Sequence, residues 1–192
     1  MKPLRGCLGD PFERVLRSDY DRYEETVVTM QDLDEGTAAL LEAMEVGPEE
    51  QVLDLGCGYG ILGLAAAGLA SAGHVHLVDS NYAAVQAATA TLQVNRVHNA
   101  TVLPGDVISA VRHLRFDVVV TNPPFHAGVE AEFVTPLAFI AGSAEVLRPR
   151  GRLYLVANRF IPYEPYLERV FQSARAVHAD NSFKALEGIR SY

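Results

Sequence analysis

Apolar and polar positions follow one another along the chain in the order strand, loop, helix, and this order repeats. Residues 51–55 form a short apolar run that ends in glycines, and the alanine- and leucine-rich stretch 61–70 has the spacing of a helix. Similar apolar runs predict four more strands, at 74–78, 101–103, 116–120 and 152–157. Helical patterns lie at 82–94 and 131–147. Apolar strands that alternate with helices predict an α/β fold, in which a mostly parallel sheet carries helices on both faces.

Both ends of the chain depart from this alternation. After a helix at 166–172, two β-rich stretches at 174–178 and 183–189 flank a turn-prone segment, which predicts an antiparallel hairpin and brings the sheet to seven strands. Near the other end, a helix at 37–44 has Asp34 or Thr37 as its N-cap. Residues 1–30 are charged and irregular, with a short helix near 12–16. We therefore expect an N-terminal extension at 1–30 and a single domain at 31–192.

Composition and charge limit the possible functions. The 192 residues are 49% hydrophobic and 21% charged, as in ordinary globular proteins. The longest apolar run, 61–70, is far shorter than the roughly 20 residues of a membrane span, and no secretory signal opens the sequence. Cys7 and Cys57 are too few for a disulfide framework or a clustered metal site. We expect a cytoplasmic protein without a metal.

The net charge of −8 argues against binding nucleic acid by charge alone.

The residues with chemical potential follow the strands. In open α/β sheets, ligands bind at the carboxyl ends of the strands, where the glycine-rich loop 54–60, Asp79 and Asn122 all fall. The glycines allow the backbone to approach a ligand closely. Asp79, at the end of the second strand, can accept hydrogen bonds from a ribose diol. Asp54 would repel a phosphate but suits the ammonium group of a cofactor that carries an amino acid.

The glycine loop alone is compatible with other interpretations. Residues 58–63 also match the G-x-G-x-x-G pattern of dinucleotide-binding proteins, so a nicotinamide or flavin cofactor is one alternative. A glycine-rich turn without any ligand is another. Cys57 and Tyr59 are expected to shape the loop rather than to do covalent chemistry, because no histidine partner for the thiol is visible in the sequence.

The sequence resembles the class I S-adenosylmethionine-dependent methyltransferases. Within them it is most similar to the "methyltransferase small" group, which includes the RsmC-type ribosomal RNA guanine N2 methyltransferases. The resemblance rests on four segments, namely 34–37, 52–60, 122–128 (Asn-Pro-Pro-Phe-His-Ala-Gly) and 151–158. It implies a Rossmann-like fold and S-adenosylmethionine as cofactor, with S-adenosylhomocysteine as product. By position, it implies that Asp54, Gly56 and Gly58 line the methionine end, that Asp79 holds the ribose, and that Asp106 lies beside the adenine amine. Cys57, in the same loop, is also expected to contact the cofactor.

The segment that follows the fourth strand suggests how an amine could be methylated. Asn122 precedes Pro123 and Pro124, and two consecutive prolines make the loop rigid and remove two N–H donors. A planar amine could donate to the Asn122 side-chain oxygen and the Pro123 carbonyl, while Phe125 stacks on the base. We therefore expect Asn122, Pro123 and Phe125 to be catalytic, with Asn122 also bordering the cofactor.

The predicted substrate is guanine N2 in ribosomal RNA, free or within a ribosomal subunit, as the resemblance implies. Pro124 and His126 are expected to contact it. Among the nearby arginines at 148, 150, 152 and 159, only Arg159 follows its strand on the cleft side, and it is therefore expected to contact the substrate as well. Adenine N6 and a protein glutamine amide present the same planar –NH2 group and remain alternatives. A methyltransferase fold that binds RNA or another partner without catalysis is the alternative from a different class.

Overall fold

The computed structural model describes residues 15–19, 22–26, 33–123 and 131–191, and from residue 33 onward its elements follow the predicted order. The strands are β1 (Val15–Asp19), β2 (Arg22–Thr26), β3 (Gln51–Leu55), β4 (His74–Asp79), β5 (Ala100–Pro104), β6 (Phe116–Thr121), β7 (Leu147–Asn158), β8 (Ser173–Ala179) and β9 (Phe183–Ile189). The helices are α1 (Glu35–Ala43), α2 (Ile61–Leu69), α3 (Tyr82–Val94), α4 (Ala131–Val146) and α5 (Glu164–Val170).

Seven of these strands form one sheet in the order β5-β4-β3-β6-β7-β9-β8. The pairs among β3 to β7 are parallel, whereas β9 pairs antiparallel with both β7 and β8. The chain moves outward from β3 to β5 and then returns to β6 on the other side of β3. This reversal opens a crevice at the carboxyl ends of β3 and β6. The predicted mostly parallel, seven-stranded sheet with an antiparallel C-terminal hairpin is confirmed.

Hydrophobic side chains cover both faces of the sheet. Residues of α1, α2 and α3 pack on one face, and residues of α4 and α5 pack on the other. Neighbouring residues of β3 show the alternation, because Val52 belongs to the first cluster and Leu53 to the second, both with no exposed surface. Burying one such side chain contributes about 1.5–3 kcal/mol. A sheet packed on both faces is a rigid support for the loops at its edge.

Strand β7 is longer than predicted. It begins at Leu147, directly after α4, whereas the sequence predicts a start at 152. Pairing with β6 shifts register between Phe116, opposite Leu147, and Val118, opposite Arg152, so residues 148–151 bulge outward. Arg150 has a φ of +64°, and its backbone N–H donates to the Arg190 carbonyl. Pairing with neighbouring chain segments, not an apolar pattern of its own, makes this stretch part of the strand.

The N-terminal region also differs from the prediction. Val15 and Leu16, predicted to end a short helix, belong to β1, which pairs antiparallel with β2 in a two-stranded sheet. The backbone of β1 lies beside α3. Residues 12–14 lie outside the described residues. The division of the chain into an extension and one domain at residue 31 stays a prediction.

Candidate active site at the carboxyl ends of the strands

The loop between β3 and α2 is built on three glycines with left-handed backbone angles. Gly56, Gly58 and Gly60 have φ values of +71°, +54° and +86°, which residues other than glycine adopt only with strain. A Cβ atom on Gly56 would lie 2.8 Å from the ring of Phe139, whereas one on Gly58 would meet no atom within 4 Å. The loop is therefore packed against the protein at Gly56 and opens into free space at Gly58.

Asp54 lies at the end of β3, beneath this loop, and has no exposed surface. Its Oδ2 accepts a 2.7 Å hydrogen bond from the backbone N–H of Gly63 in the first turn of α2. This bond replaces the side-chain cap that Gly60, at the N-cap position, lacks. Within the described part of the chain, the buried Oδ1 has no hydrogen-bond partner. Asp54 thus has a structural bond on one oxygen and an unused acceptor on the other.

Burial has a large effect on this carboxyl group. Loss of hydration raises the pKa of Asp54 to about 7, the bond from Gly63 opposes that rise, and the nearby charge of Asp79 adds to it. A cation bound beside this carboxylate would favour the ionised form and lower the pKa of Asp54 again. An ammonium group is both a cation and a hydrogen-bond donor, so it would stabilise the ionised form of Asp54 and donate to its unpartnered Oδ1.

Asp79 ends β4 on the other side of the loop. Its Oδ2 accepts from the Gly58 N–H at 2.9 Å, and its Oδ1 accepts from the Asn81 N–H at 2.8 Å. Each carboxylate oxygen can accept more than one hydrogen bond, so both can still receive the hydroxyl groups of a ribose. Asp79 therefore joins the glycine loop to the start of α3 while facing the same crevice.

Cys57 is unsuited to act as a nucleophile. Its thiol is buried and lies 3.8 Å from the Gly58 carbonyl. Burial raises the pKa of the Cys57 thiol well above its usual range, and the charges of Asp54 and Asp79 raise it further. Only the thiolate is nucleophilic, so these surroundings disfavour covalent chemistry at Cys57, and its role in shaping the loop stays a prediction.

Asn122 follows β6 directly and faces the start of α1. Its Nδ2 group donates to Thr37 Oγ1 at 3.1 Å and to Asp34 Oδ1 at 3.3 Å. The preceding residue, Thr121, is buried, and its hydroxyl donates to the Leu55 carbonyl at 2.7 Å. That bond ties the end of β6 to the end of β3, where the glycine loop begins. Asn122 is thereby held beside the loop with its NH2 group turned toward α1.

The structure describes some of the remaining predicted site residues and not others. Pro123 is buried next to Asn122, whereas Pro124, Phe125 and His126 lie outside the described residues. Asp106 follows β5 and is exposed, and the neighbouring Gly105 N–H donates to the Asp79 carbonyl at 3.0 Å. The structure thus brings Asp54, Asp79 and Asn122 to the ends of adjacent strands, with Asp106 one strand further out.

The arginines near β7 lie at opposite ends of the strand, as predicted. Arg148 pairs with Asp117 and Arg152 with Glu50, each at 2.6 Å, at the end of the sheet opposite the crevice. Arg159 follows β7 on the crevice side and is exposed, and its Nη1 donates to the Asp180 carbonyl at 2.5 Å. Of these three arginines, Arg159 is the one at the crevice end of the strand, and its contact with a substrate stays a prediction.

Sequence reasoning missed Phe160 and the partners of Asn122. The Phe160 side chain is 82% exposed at the end of β7, and its backbone N–H donates to Asn158 Oδ1 at 3.1 Å. The signal was a large aromatic residue directly after Arg159, at the carboxyl end of a strand. Asp34 and Thr37 were recognised as cap candidates, but no local pattern links them to a residue 85 or more positions away.

The described residues also bear on the expectations about membranes and metals. None of the helices in this part of the chain is long and apolar enough to cross a membrane. The same residues contain no group of three or more histidine, cysteine or acidic side chains arranged to hold a metal ion. The absence of a metal cofactor stays a prediction.

Comparison with known proteins identifies the family. The model of the methyltransferase small domain matches residues 22–187. Ribosomal RNA large subunit methyltransferase G of Streptomyces avermitilis is 36% identical over 82% of this chain and 42% of its own length. Ribosomal RNA small subunit methyltransferase C of Hahella chejuensis is 35% identical over 82% of this chain and 46% of its own length.

A solved structure agrees with these relatives. The T. thermophilus 16S rRNA N2 G1207 methyltransferase, in complex with AdoMet and guanosine, superposes with a TM-score of 0.75 and 37% identity over 82% of this chain and 43% of that one. The chain spans less than half the length of each of these three proteins. With the family model matching most of its residues, this chain belongs to the methyltransferase small domain family.

Proposed function

We propose that this chain transfers the methyl group of S-adenosylmethionine to an exocyclic amine, and that its acceptor is guanine N2 in ribosomal RNA. The observation that carries the proposal is the Asn122 amide, held beside the glycine loop with its NH2 group bonded to α1. This orientation leaves the amide oxygen as the group that can accept from a substrate amine. The three relatives at 35–37% identity are all ribosomal RNA methyltransferases, which supports this choice of acceptor.

The crevice fits S-adenosylmethionine, which when bound supplies a methyl group on a positively charged sulfur. Open space above Gly58 admits a ligand against the loop backbone. The unpartnered Asp54 Oδ1 suits the ammonium group of the methionine end. Asp79 would hold the ribose hydroxyls, and Asp106 would receive the adenine amine. Gly56 and Cys57 would complete the loop around the methionine end.

The acceptor amine would be oriented by residues after β6. Its two N–H groups would donate to Asn122 Oδ1 and to the Pro123 carbonyl, which directs the nitrogen lone pair toward the methyl group. Phe125 would stack on the base. Holding two reacting atoms in line accounts for about 7–11 kcal/mol in intramolecular models, so positioning can supply most of the acceleration.

RNA would approach over the carboxyl end of β7. Pro124 and His126 would contact the target nucleotide, and the exposed Arg159 would face a phosphate or a base. Phe160, exposed beside it, offers a stacking surface for a neighbouring base, a contact worth about 1–3 kcal/mol. The target amine is accessible only when its base is splayed out of a helix or already unpaired. We propose that a ribosomal subunit or free ribosomal RNA in the cytoplasm presents it in this form.

Transfer of radiolabelled methyl groups tests the proposal. The purified chain is incubated with labelled S-adenosylmethionine and, separately, with naked ribosomal RNA, each ribosomal subunit, and a protein extract. We expect label in RNA, released as N2-methylguanosine on nuclease digestion and mass spectrometry. Label on adenine N6 or only on glutamine would replace the acceptor. Label in no sample, combined with no cofactor binding by calorimetry, would leave a binding module without catalysis.

Two asparagine variants control this experiment. Asn122→Ala removes the acceptor oxygen and should lower turnover by about 100-fold or more, with little change in cofactor affinity. Asn95→Ala makes the same substitution at the C-cap of α3, at the opposite end of that helix from Asp79, and should retain turnover. An active Asn122→Ala variant would refute the role assigned to that side chain.

A further inference from the structure

The start of α1 contacts the candidate catalytic asparagine, although 85 or more residues separate them along the chain. Thr37, in the first turn of α1, is 4% exposed, and its Oγ1 accepts from Asn122 Nδ2 at 3.1 Å. Asp34, the N-cap of α1, accepts from the same Nδ2 at 3.3 Å. We infer that Asp34 and Thr37 are positioning residues that set which side of the Asn122 amide faces the substrate, an inference that rests on the proposed function.

The orientation of this amide decides whether it can accept from an amine. An amide presents an acceptor on one side and two donors on the other. An ionised carboxylate only accepts hydrogen bonds, so Asp34 favours the orientation that turns the NH2 group of Asn122 toward α1. The reversed orientation would bring the amide oxygen against the Asp34 carboxylate and set the NH2 group against the N–H groups of the substrate. Asp34 and the substrate amine therefore each oppose the unproductive orientation.

One oxygen of Asp34 has two partners. Asp34 Oδ1 accepts the capping bond from the Thr37 backbone N–H at 2.8 Å as well as the bond from Asn122. A Cβ atom on Gly36 would lie 3.2 Å from the same oxygen, so a side chain at position 36 would crowd the Asp34 carboxylate. The capping geometry of α1 thereby fixes the point to which the Asn122 amide is bonded.

Three substitutions separate positioning from capping. Asp34→Ser keeps a good N-cap residue but shortens the side chain, so that it no longer reaches Asn122. Asp34→Asn keeps both the cap and an acceptor oxygen in place. Thr37→Val keeps the shape of the buried side chain and removes its hydroxyl. The control is Glu42→Ala, at an exposed position of α1 away from the crevice.

Steady-state kinetics with the RNA acceptor give the first readout. We expect Asp34→Ser and Thr37→Val to lower kcat by about tenfold, as the loss of one oriented hydrogen bond implies, with KM, cofactor Kd and Tm unchanged. Asp34→Asn should retain most of the wild-type kcat, and Glu42→Ala all of it. In an Asn122→Ser background, the further substitution Asp34→Ser should have no effect on kcat, because its action passes through Asn122. Equal losses in both backgrounds would overturn the inference.

A second readout does not depend on turnover. The side-chain amide of Asn122 is assigned by NMR from the signal that disappears in Asn122→Ala, and its order parameter is measured in each variant. We expect a rigid amide in the wild type and in Asp34→Asn, and a mobile one in Asp34→Ser and Thr37→Val. An amide that stays rigid in both latter variants would overturn the inference even if the chain methylates RNA. A wild type that transfers no methyl group would instead refute the proposed function, while the NMR result still decides the role of Asp34 and Thr37.

Discussion

The raised pKa of Asp54 makes the stability of this chain depend on pH in a calculable way. Its folded-state value of about 7 compares with 3.8 for an ordinary aspartate. Between these values the folded chain keeps a proton that the unfolded chain has released, so a rise in pH favours unfolding. Above about pH 7 both states are ionised and the effect levels off. Asp54→Asn removes this titration but keeps an oxygen for the Gly63 N–H.

The size of the effect follows from the two pKa values. Each unit of difference corresponds to about 1.4 kcal/mol, and integration from pH 5 to pH 8 gives a loss of roughly 3 kcal/mol in the free energy of unfolding. Because Asp54 has no exposed surface, solvent screening does not reduce this figure. The wild type should therefore lose roughly 3 kcal/mol relative to Asp54→Asn over that range. Subtracting the two curves cancels the titration of every other group.

Urea unfolding at pH 5, 6, 7 and 8 measures this difference by linear extrapolation. Asp106→Asn, which removes an exposed carboxylate, controls for the loss of one negative charge. A difference between wild type and Asp54→Asn that stays constant from pH 5 to pH 8 would refute the reasoning, because Asp54 would then keep the same charge across the range.

Other predictions concern the loop and the edge of the crevice. Gly56→Ala should destabilise the fold by more than Gly58→Ala in thermal unfolding. Both substitutions carry a φ strain of about 1–2 kcal/mol, but only the Cβ atom at position 56 would also clash with the Phe139 ring. Equal losses of stability would contradict the packing described. Phe160→Ala should raise KM for RNA about tenfold and leave cofactor Kd unchanged by calorimetry, whereas an unchanged KM would exclude stacking. Cys57 in the folded chain should resist iodoacetamide at pH 8 by peptide mass mapping, and rapid labelling would show an accessible thiolate.

Local patterns were sufficient for much of the fold. Helix α3 and strand β9 have the predicted bounds, because Asn81 caps α3 and the apolar run of β9 is bounded by turn residues. The start of β7 could not be predicted, since residues 148–151 lack the apolar pattern of a strand and join it through bonds to Arg190 and a bulge opposite β6. Such pairing depends on segments distant in the sequence.

The placement of the candidate site could likewise be predicted from the sequence, but its internal contacts could not. The glycine loop, Asp79 and Asn122 could be assigned to one crevice because parallel strands end at one edge of the sheet. Their mutual contacts could not be assigned, since the Gly58 bond to Asp79 and the Asn122 bond to Thr37 join different elements. Burial was likewise invisible in the sequence, although it alone accounts for most of the change at Asp54.

The ion pairs at the far end of the sheet have a consequence for how RNA would be held. Arg148 and Arg152 are already neutralised by Asp117 and Glu50, so they have little free charge with which to displace counterions from RNA phosphates. Each phosphate neutralised on single-stranded RNA contributes a slope of about −0.7 to the dependence of log affinity on log salt. Of these three arginines only Arg159 lies at the crevice end of β7, so together they should contribute the slope of one phosphate contact, and Arg148→Ala or Arg152→Ala should leave the salt dependence of RNA binding unchanged.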